Sequence, residues 1–526
     1  MERLLTPRVG FALVAALYLL SFPYHPGLRS PNELCRLWQA RALVDFGTLD
    51  INGTIAQRGM VGDLSCVAVL ADGSFRPCVG PDAPARQLVT AIRYYPSKAP
   101  LTAFLAAPVY WVLERFGQVS EVSQVLFSRL VVTILPALAL LWLLRLFLQA
   151  YLDPALADVL VVVYALGTMA FSYAESFMSH QLTAVLLFAA FFCAWKIERK
   201  DWGERGWLLA GLLAGAVVAC EYTGALGVVC VSSYVVASRW KQWPALGRAV
   251  VLVLFGAAPL LAGLLAYHHA CFGSAWLSGY KFLNDANYQG WHQGGFLGIK
   301  VPDGRAFVLS LFSPLRGLFA LSPFLMASLP GLRSLAAKDR PLFVFTTVLS
   351  VANAYFTSSF AYDSWGWTVG PRHLTPMLPF LLLPVGLVLA QAGTVTRSVV
   401  AGLCVSAVGV TGLVCFVNYV PDDVSTSVFG LAVPLLADGF WPVSVLAVLV
   451  PNPASGAVLV GLLVAAVAWV AARFSTSGAR PLVLAVALVA HLGLLRLATT
   501  FDDHEKNAKA FLESVWLAPS GQRVRL

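Results

Sequence analysis

Apolar runs near twenty residues long recur from Phe11 to Leu495, broken by short polar or basic stretches. A helix of roughly 20 apolar residues spans a bilayer core of about 30 Å. The runs predict spans over 8–23, 122–146, 155–172, 181–196, 207–220, 222–238, 249–270, 316–332, 341–359, 374–391, 398–418, 454–473 and 480–499. The expected fold is therefore an all-α polytopic membrane protein with about thirteen transmembrane helices. The first run, "VGFALVAALYLLSF", has basic flanks like a signal peptide. No small-residue cleavage site follows it, so it reads as a retained helix.

One run has the wrong dimensions. "YYPSKAPLTAFLAAPVYWVLERFG" holds about fifteen apolar residues, roughly 22 Å of helix. It could cross, or it could dip in from one side. If it crosses, the later basic loops "KIERKDWGER", "SRWKQWPALGR", "RSLAAKDR", "TVTR" and "ARFSTSGAR" fall outside. If it dips, all of them fall inside, as the positive-inside rule wants. Pro100 and Pro108 also suit a short interfacial helix. This reading puts the N-terminus in the cytoplasm. It divides the chain into a first membrane helix (1–23), an extracytoplasmic loop (24–120), a transmembrane bundle (121–500) and an extracytoplasmic tail (501–526). The long loop opens on an amphipathic helix, "NELCRLWQARALVDFG", with Leu34, Leu37, Trp38, Ala42 and Val44 available for a membrane-facing side. A turn-rich stretch, "DGSFRPCVGPDAPA", follows it. The tail carries a short helix, "HEKNAKAFLESVWL".

Composition agrees: 58% of residues are hydrophobic and 12% charged. The net charge of +9 follows from Lys and Arg collecting in cytoplasmic loops. No basic-aromatic stripe accompanies it, so no nucleic-acid partner is expected. Cys193, Cys220, Cys230, Cys404 and Cys415 lie in apolar runs and read as buried fillers. Cys66 and Cys78 share a polar loop and could pair if it is extracytoplasmic. No CxxC is present, which argues against thiol zinc or redox chemistry.

A second set of polar residues gathers on the outer side. Lys98 stands at the mouth of the dipping segment, Arg316 in "SPLRGLFALSPF", and Arg372 and His373 in "YDSWGWTVGPRHLTPMLPF". His180 follows Glu175 in "SYAESFMSHQL", and Glu221 and Tyr222 occupy the turn "CEYTG". Each alone is equally an interfacial anchor. Together, Lys98, Arg316 and Arg372 bring cations with Pro or Gly neighbours to one face, which suits a phosphate. Tyr362, Trp365 and Trp367 beside Arg372 fit an interface belt, or a sugar or prenyl chain. Opposite stand the first-loop carboxylates Glu33, Asp45, Asp50 and Asp63. Glu33 is either a first-turn helix carboxylate or a general base facing the cations. Asp50 and Asp63 are the next candidates for that base; Asp50 is equally a turn residue. Asp422–Asp423, His180 and His373 are far apart in sequence. No firm metal site is predicted, and a divalent metal stays open as a cofactor.

The order of these elements resembles the GT-C superfamily of membrane glycosyltransferases, near the bacterial protein O-mannosyltransferases and lipid A aminoarabinose transferases. The likeness rests on a first helix, a long outer loop opening on an acidic residue, and "YYPSKAPLTAFLAAPVY" in place of a Lys-Pro-Pro-Leu or Asp-Lys-Ala-Pro-Gly segment. The blocks "SPLRGLFALSPFLM" and "WGWTVGPRHLTPMLPFLLLP" add to it, and it is clearest over residues 1–390. Two departures stand out: "Asn-Glu" replaces the usual acidic pair or Asp, and the second consecutive proline is missing. The resemblance implies an inverting glycosyltransferase at the outer face of a bacterial cytoplasmic membrane. Its donor would be a polyprenyl-phosphate sugar, its acceptor an unspecified glycan, lipid or protein. Carried over, Glu33 is the base, and Lys98 and Arg372 hold the donor phosphate. A lipid-linked sugar polymerase or ligase, or a polytopic lipid or solute transporter, is the alternative. No internal repeat or midplane charge cluster favours a transporter.

Overall fold

A computed structural model describes residues 5–24, 28, 30–295, 298–360, 366–449, 455–500 and 502–516. Tyr362 and Trp365 lie outside the described residues. The chain is a multi-pass helical membrane protein. Among the described residues, seven helices are long and apolar enough to cross a bilayer: Glu121–Gln149, Ser179–Glu198, Trp243–Phe272, Arg340–Ser359, Arg372–Gln391, Thr394–Val417 and Ser455–Thr476. Shorter apolar helices accompany them, including Pro7–Leu20 (α1), Pro154–Gly167, Gly206–Cys220, Gly224–Arg239 and Pro481–Leu497. These twelve correspond to predicted spans. The thirteenth, 316–332, does not form one helix. It breaks into Leu318–Leu321, a 3-10 turn over Pro323–Ala327, and Ser328–Lys338. Pro323, which has no N–H to give, ends the first piece. An unpredicted apolar helical stretch, Val428–Ala437, lies in the third long loop, 419–453.

Polar caps and close backbone packing shape the bundle. Asp153 and Asp339 accept N–H bonds from Ala155 (2.9 Å) and Leu342 (3.1 Å) and start their helices. A side chain at Gly211 would collide with the Val253 carbonyl, and one at Gly256 with that of Leu208. Helices Gly206–Cys220 and Trp243–Phe272 therefore meet backbone to backbone, as small residues permit inside a bilayer. Phe147, Phe188, Phe191, Phe345 and Phe380 pack an aromatic centre, with centroids 4.9 Å apart between Phe345 and Phe380.

The loop between α1 and the first long helix holds an element that the hydropathy pattern did not predict. Helices Pro31–Arg41 (α2) and Asn52–Arg58 (α3) are followed by strands Leu64–Leu70 (β1), Phe75–Pro77 (β2) and Val89–Pro96 (β3). The sheet is antiparallel in the order β2-β1-β3. "LSCVAVL" is β-prone, and the Asp72–Gly73–Ser74 turn reverses it, with Gly73 at φ 78°. Cys66 and Cys78 form a disulfide with Cα atoms 5.5 Å apart. Ser65 Oγ donates to the Gly279 carbonyl (2.8 Å) and Asn284 N–H to that of Leu64 (2.9 Å), so the sheet joins the second long loop, 271–315.

One expectation for this loop needs correction. Helix α2 does not lie on a membrane surface: nine of its eleven residues are buried, Leu37 and Trp38 among them. It packs inside the protein along Leu101–Glu114 (α4). Its polar side chains are enclosed as well: Arg36, Gln39 and Arg41 find buried partners in Ser179, Tyr267 and Gln124. Helix α4 has 14 residues, about 21 Å. The tail helix Asp503–Trp516 docks on the third long loop: Glu505 accepts from Ser425 N–H (3.0 Å), and Lys509 pairs with Asp438.

Candidate active site

A cavity of about 1160 Å³ opens where five distant segments meet. Residues 61–64 and Lys98 come from the first long loop; Ser172, Tyr173 and Ser176 precede the helix that starts at Ser179. Asp285, His292, Lys300 and Asp303 come from the second loop; Trp367 and Arg372 from the next; Asn418 and Asp422 from the third. The volume exceeds the usual ligand pocket, about 300–1,000 Å³.

The sheet register builds its charged wall. Leu64 pairs with Pro96, which sets Asp63 opposite Ser97 and beside Lys98. Ser97 donates from its N–H (3.0 Å) and its hydroxyl (2.8 Å) to the Asp63 carbonyl. These bonds hold Asp63 at φ 58°, the left-handed region that Asp tolerates better than most residues. Its carboxylate lies 3.5 Å from Lys98 Nζ, with the side chains 34% and 12% exposed. Lys98 also sits over the Tyr280 ring, 5.3 Å from its centroid. Burial alone would raise the Asp63 carboxyl, but Lys98, Arg372 and Arg36 together hold it below the usual carboxylate range. Arg372 enters at the start of a 3-10 turn, Arg372–Met377, whose Thr375 hydroxyl donates to the Arg372 carbonyl (2.7 Å). It is half-buried on the same cavity.

Of the predicted residues, Glu33, Asp63, Lys98, Trp367 and Arg372 line this cavity. Asp50, His180, Glu221, Tyr222, Arg316 and His373 do not. Asp50 accepts from Asn52 N–H (3.3 Å) in the turn before α3. Arg316 is 5% exposed and bound to Asp422 and the Val420 carbonyl, so it supports the wall rather than facing in. His180 packs against Tyr173 and His373, rings 5.3 and 5.4 Å apart. Glu221 accepts from Ser179, whose hydroxyl in turn accepts from Arg36 (3.0 Å). Tyr222 bonds His268 at 2.9 Å.

Glu33 has a different environment from the one expected of a base. Ser30 caps its helix, and its carboxylate is 1% exposed. Arg129 grips both oxygens at 2.9–3.2 Å, and Phe177 N–H donates to one of them. Arg129 lay unnoticed inside the predicted span 122–146; a charge within an apolar run was the available signal. Arg36, which forks between the Asn32 carbonyl (2.8 Å) and Ser179, was likewise missed. So was the second loop's contribution. His292 stacks on Tyr280 at 4.4 Å, and burial with Lys98 nearby pushes its imidazole down to about 4. Lys300 and Asp303, both on the cavity, stand in the polar stretch "IKVPDGR" that could have marked them. Among the described residues, no group of three His, Cys, Asp or Glu side chains is placed to hold a metal ion.

No family model matches the chain, and no curated protein matches it. Two solved structures are similar. One is ArnT from Cupriavidus metallidurans in the apo state: TM-score 0.49, 15% identity, 91% of this chain and 75% of that one covered. The other is ArnT from the same organism bound to undecaprenyl phosphate: TM-score 0.48, 13% identity, coverage 93% and 77%. Superposition at that level leaves the functional reading to the site's own geometry.

Proposed function

We propose that this chain is a membrane glycosyltransferase that moves a sugar from a polyprenyl-phosphate donor to an acceptor hydroxyl, with inversion. The observation that carries the reading is one carboxylate, Asp63, paired with Lys98 on a cavity that Arg372 also lines. Lys98 and Arg372 bind the donor phosphate, Lys as a point charge and Arg through its planar fork. Asp63 takes the acceptor's proton. The acceptor oxygen then bonds to the anomeric carbon, and the bond from that carbon to the phosphate oxygen breaks. Its electron pair leaves as polyprenyl phosphate, whose charge the two cations stabilise.

Asp63, rather than Glu33, is the base in this scheme. Glu33 is enclosed by Arg129 and Phe177, whereas Asp63 has exposed carboxylate and a cation that a phosphate can draw away. An arriving phosphate competes for Lys98 and Arg372. The phosphate's negative charge and its hold on the two cations relax the depression of the Asp63 carboxyl, so its proton affinity climbs and the base is armed by donor binding. The outer loops face away from the cytoplasm; the Cys66–Cys78 disulfide and the inside placement of the basic loops support that orientation. The test is release of polyprenyl phosphate from a labelled polyprenyl-phosphate sugar by the purified protein. Wild type releases it and Lys98→Ala does not. A protein that moves the lipid-linked sugar across vesicles without cleaving it is a transporter, and the reading falls.

A further inference from the structure

Beside the cavity lies a second pocket of about 300 Å³, between the third outer loop and the tail helix. Trp367 lines both. The tail helix is fixed by one side: Glu505 and Ala508 are buried, Glu505 on Ser425 and against Gly430, and Lys509 is paired with Asp438. The adjoining face, at helical spacing, presents His504, Asn507, Ala508 and Phe511 to the pocket. Phe511 stands edge-on to Trp367 with centroids 6.0 Å apart, and both rings are exposed, by 50% and 40%. Asp423 closes the pocket on the loop side and is also exposed.

We infer that this pocket binds a saccharide ring of the acceptor, which reaches the cavity past Trp367. Three observations converge on a sugar. Two exposed aromatic rings at one opening, set edge to face, offer the apolar surface that a pyranose C–H face covers. A carboxylate, an amide and an imidazole ring them, which matches a rim of hydroxyls that both donate and accept. The shared Trp367 makes the pocket continuous with the place where the acceptor hydroxyl must arrive. A fatty acyl chain would leave Asp423, Asn507 and His504 without partners, and an isolated phosphate would meet Asp423. The inference rests on the glycosyltransferase reading, since it assigns the pocket to that reaction's acceptor.

The full chain in lipid nanodiscs is probed by saturation-transfer NMR with free gluco-, manno- and galacto-configured trisaccharides. Release of polyprenyl phosphate to water is followed in parallel. At least one trisaccharide takes up saturation. Phe511→Ala weakens its binding roughly three- to tenfold, the worth of one aromatic contact, and leaves release to water unchanged. Lys98→Ala abolishes release and leaves the trisaccharide signal intact. Absence of polyprenyl phosphate release from wild type overturns the glycosyltransferase reading on its own. The pocket assignment is overturned if no trisaccharide responds. It is also overturned if the signal survives the double variant Phe511→Ala, Asn507→Ala at wild-type strength. Both side chains are exposed and the helix keeps its anchors, so a wild-type melting temperature certifies folding.

Discussion

Replacing Glu33 by Gln separates a structural carboxylate from a catalytic one. The change keeps the volume and removes the charge. Glu33 and Arg129 are 1% and 2% exposed, and Arg129 donates to Glu33 at 3.0, 3.2 and 2.9 Å. Without the carboxylate, Arg129 is a buried cation with no compensating charge at that contact. Breaking such a pair from one side costs about 3–5 kcal/mol, a large part of the roughly 5–15 kcal/mol that holds a typical domain folded. Removing both charges is different: with Arg129→Met added, no buried charge is stranded, and most of the loss should return. The seven free cysteines are all buried, so a thiol-reactive dye reports melting directly. The expected order is wild type, then the double variant close behind, then Glu33→Gln far below. The folded double variant should also release polyprenyl phosphate. The reasoning is refuted if Glu33→Gln melts like wild type yet loses activity a hundredfold or more, because Glu33 would then be a reacting group.

Four further outcomes follow. Asp63→Asn should lower turnover by about 10² to 10⁴-fold, the usual worth of a general base, with melting near wild type; turnover within threefold removes Asp63 from the mechanism. Because the Asp63 carboxyl is held below its ordinary value, it is charged above the usual carboxylate range, and the stability of its pairing with Lys98 is lost only as pH falls through that depressed value. The acid limb of kcat/KM should accordingly lie below that of kcat, measured with donor bound; coincident limbs would contradict arming by the phosphate. Arg372→Lys keeps the charge but loses the fork, so donor KM should rise while folding is unchanged, which a donor titration reads. Cys66→Ala with Cys78→Ala should destabilise the first long loop by about 2–4 kcal/mol, seen as faster proteolysis near residue 70.

The cations were legible because charge beside Pro and Gly at the rim of an apolar run has few uses. Lys98 and Arg372 stood out for that reason, and both line the cavity. Arg316 carried the same signature and proved to be tied to Asp422, a partner that lies 106 residues away and that spacing does not reveal. Hydropathy also cannot tell lipid from protein. The apolar side of α2 reads the same whether it meets acyl chains or α4, so a buried helix looked like a surface one. Glu33 suffered from this: on an exposed helix its carboxylate would be available, and in the buried one Arg129 encloses it. The sheet was hidden because "LSCVAVL" is too short to separate strand from loop by period alone. With it went the register that sets Asp63 beside Lys98, so Asp63 ranked only as a fallback.

That register leaves room for engineering. Asp63 and Lys98 are placed by the start of β1 and the end of β3, while residues 85–88 project from the far end of the same sheet and are exposed. Chain length there is decoupled from the charged wall, since doubling a flexible loop costs only about 0.6 kcal/mol. A peptide tag or a fluorophore acceptor sequence spliced after Ala85 would ride on the sheet without displacing either group, giving a reporter carried by the protein's own scaffold.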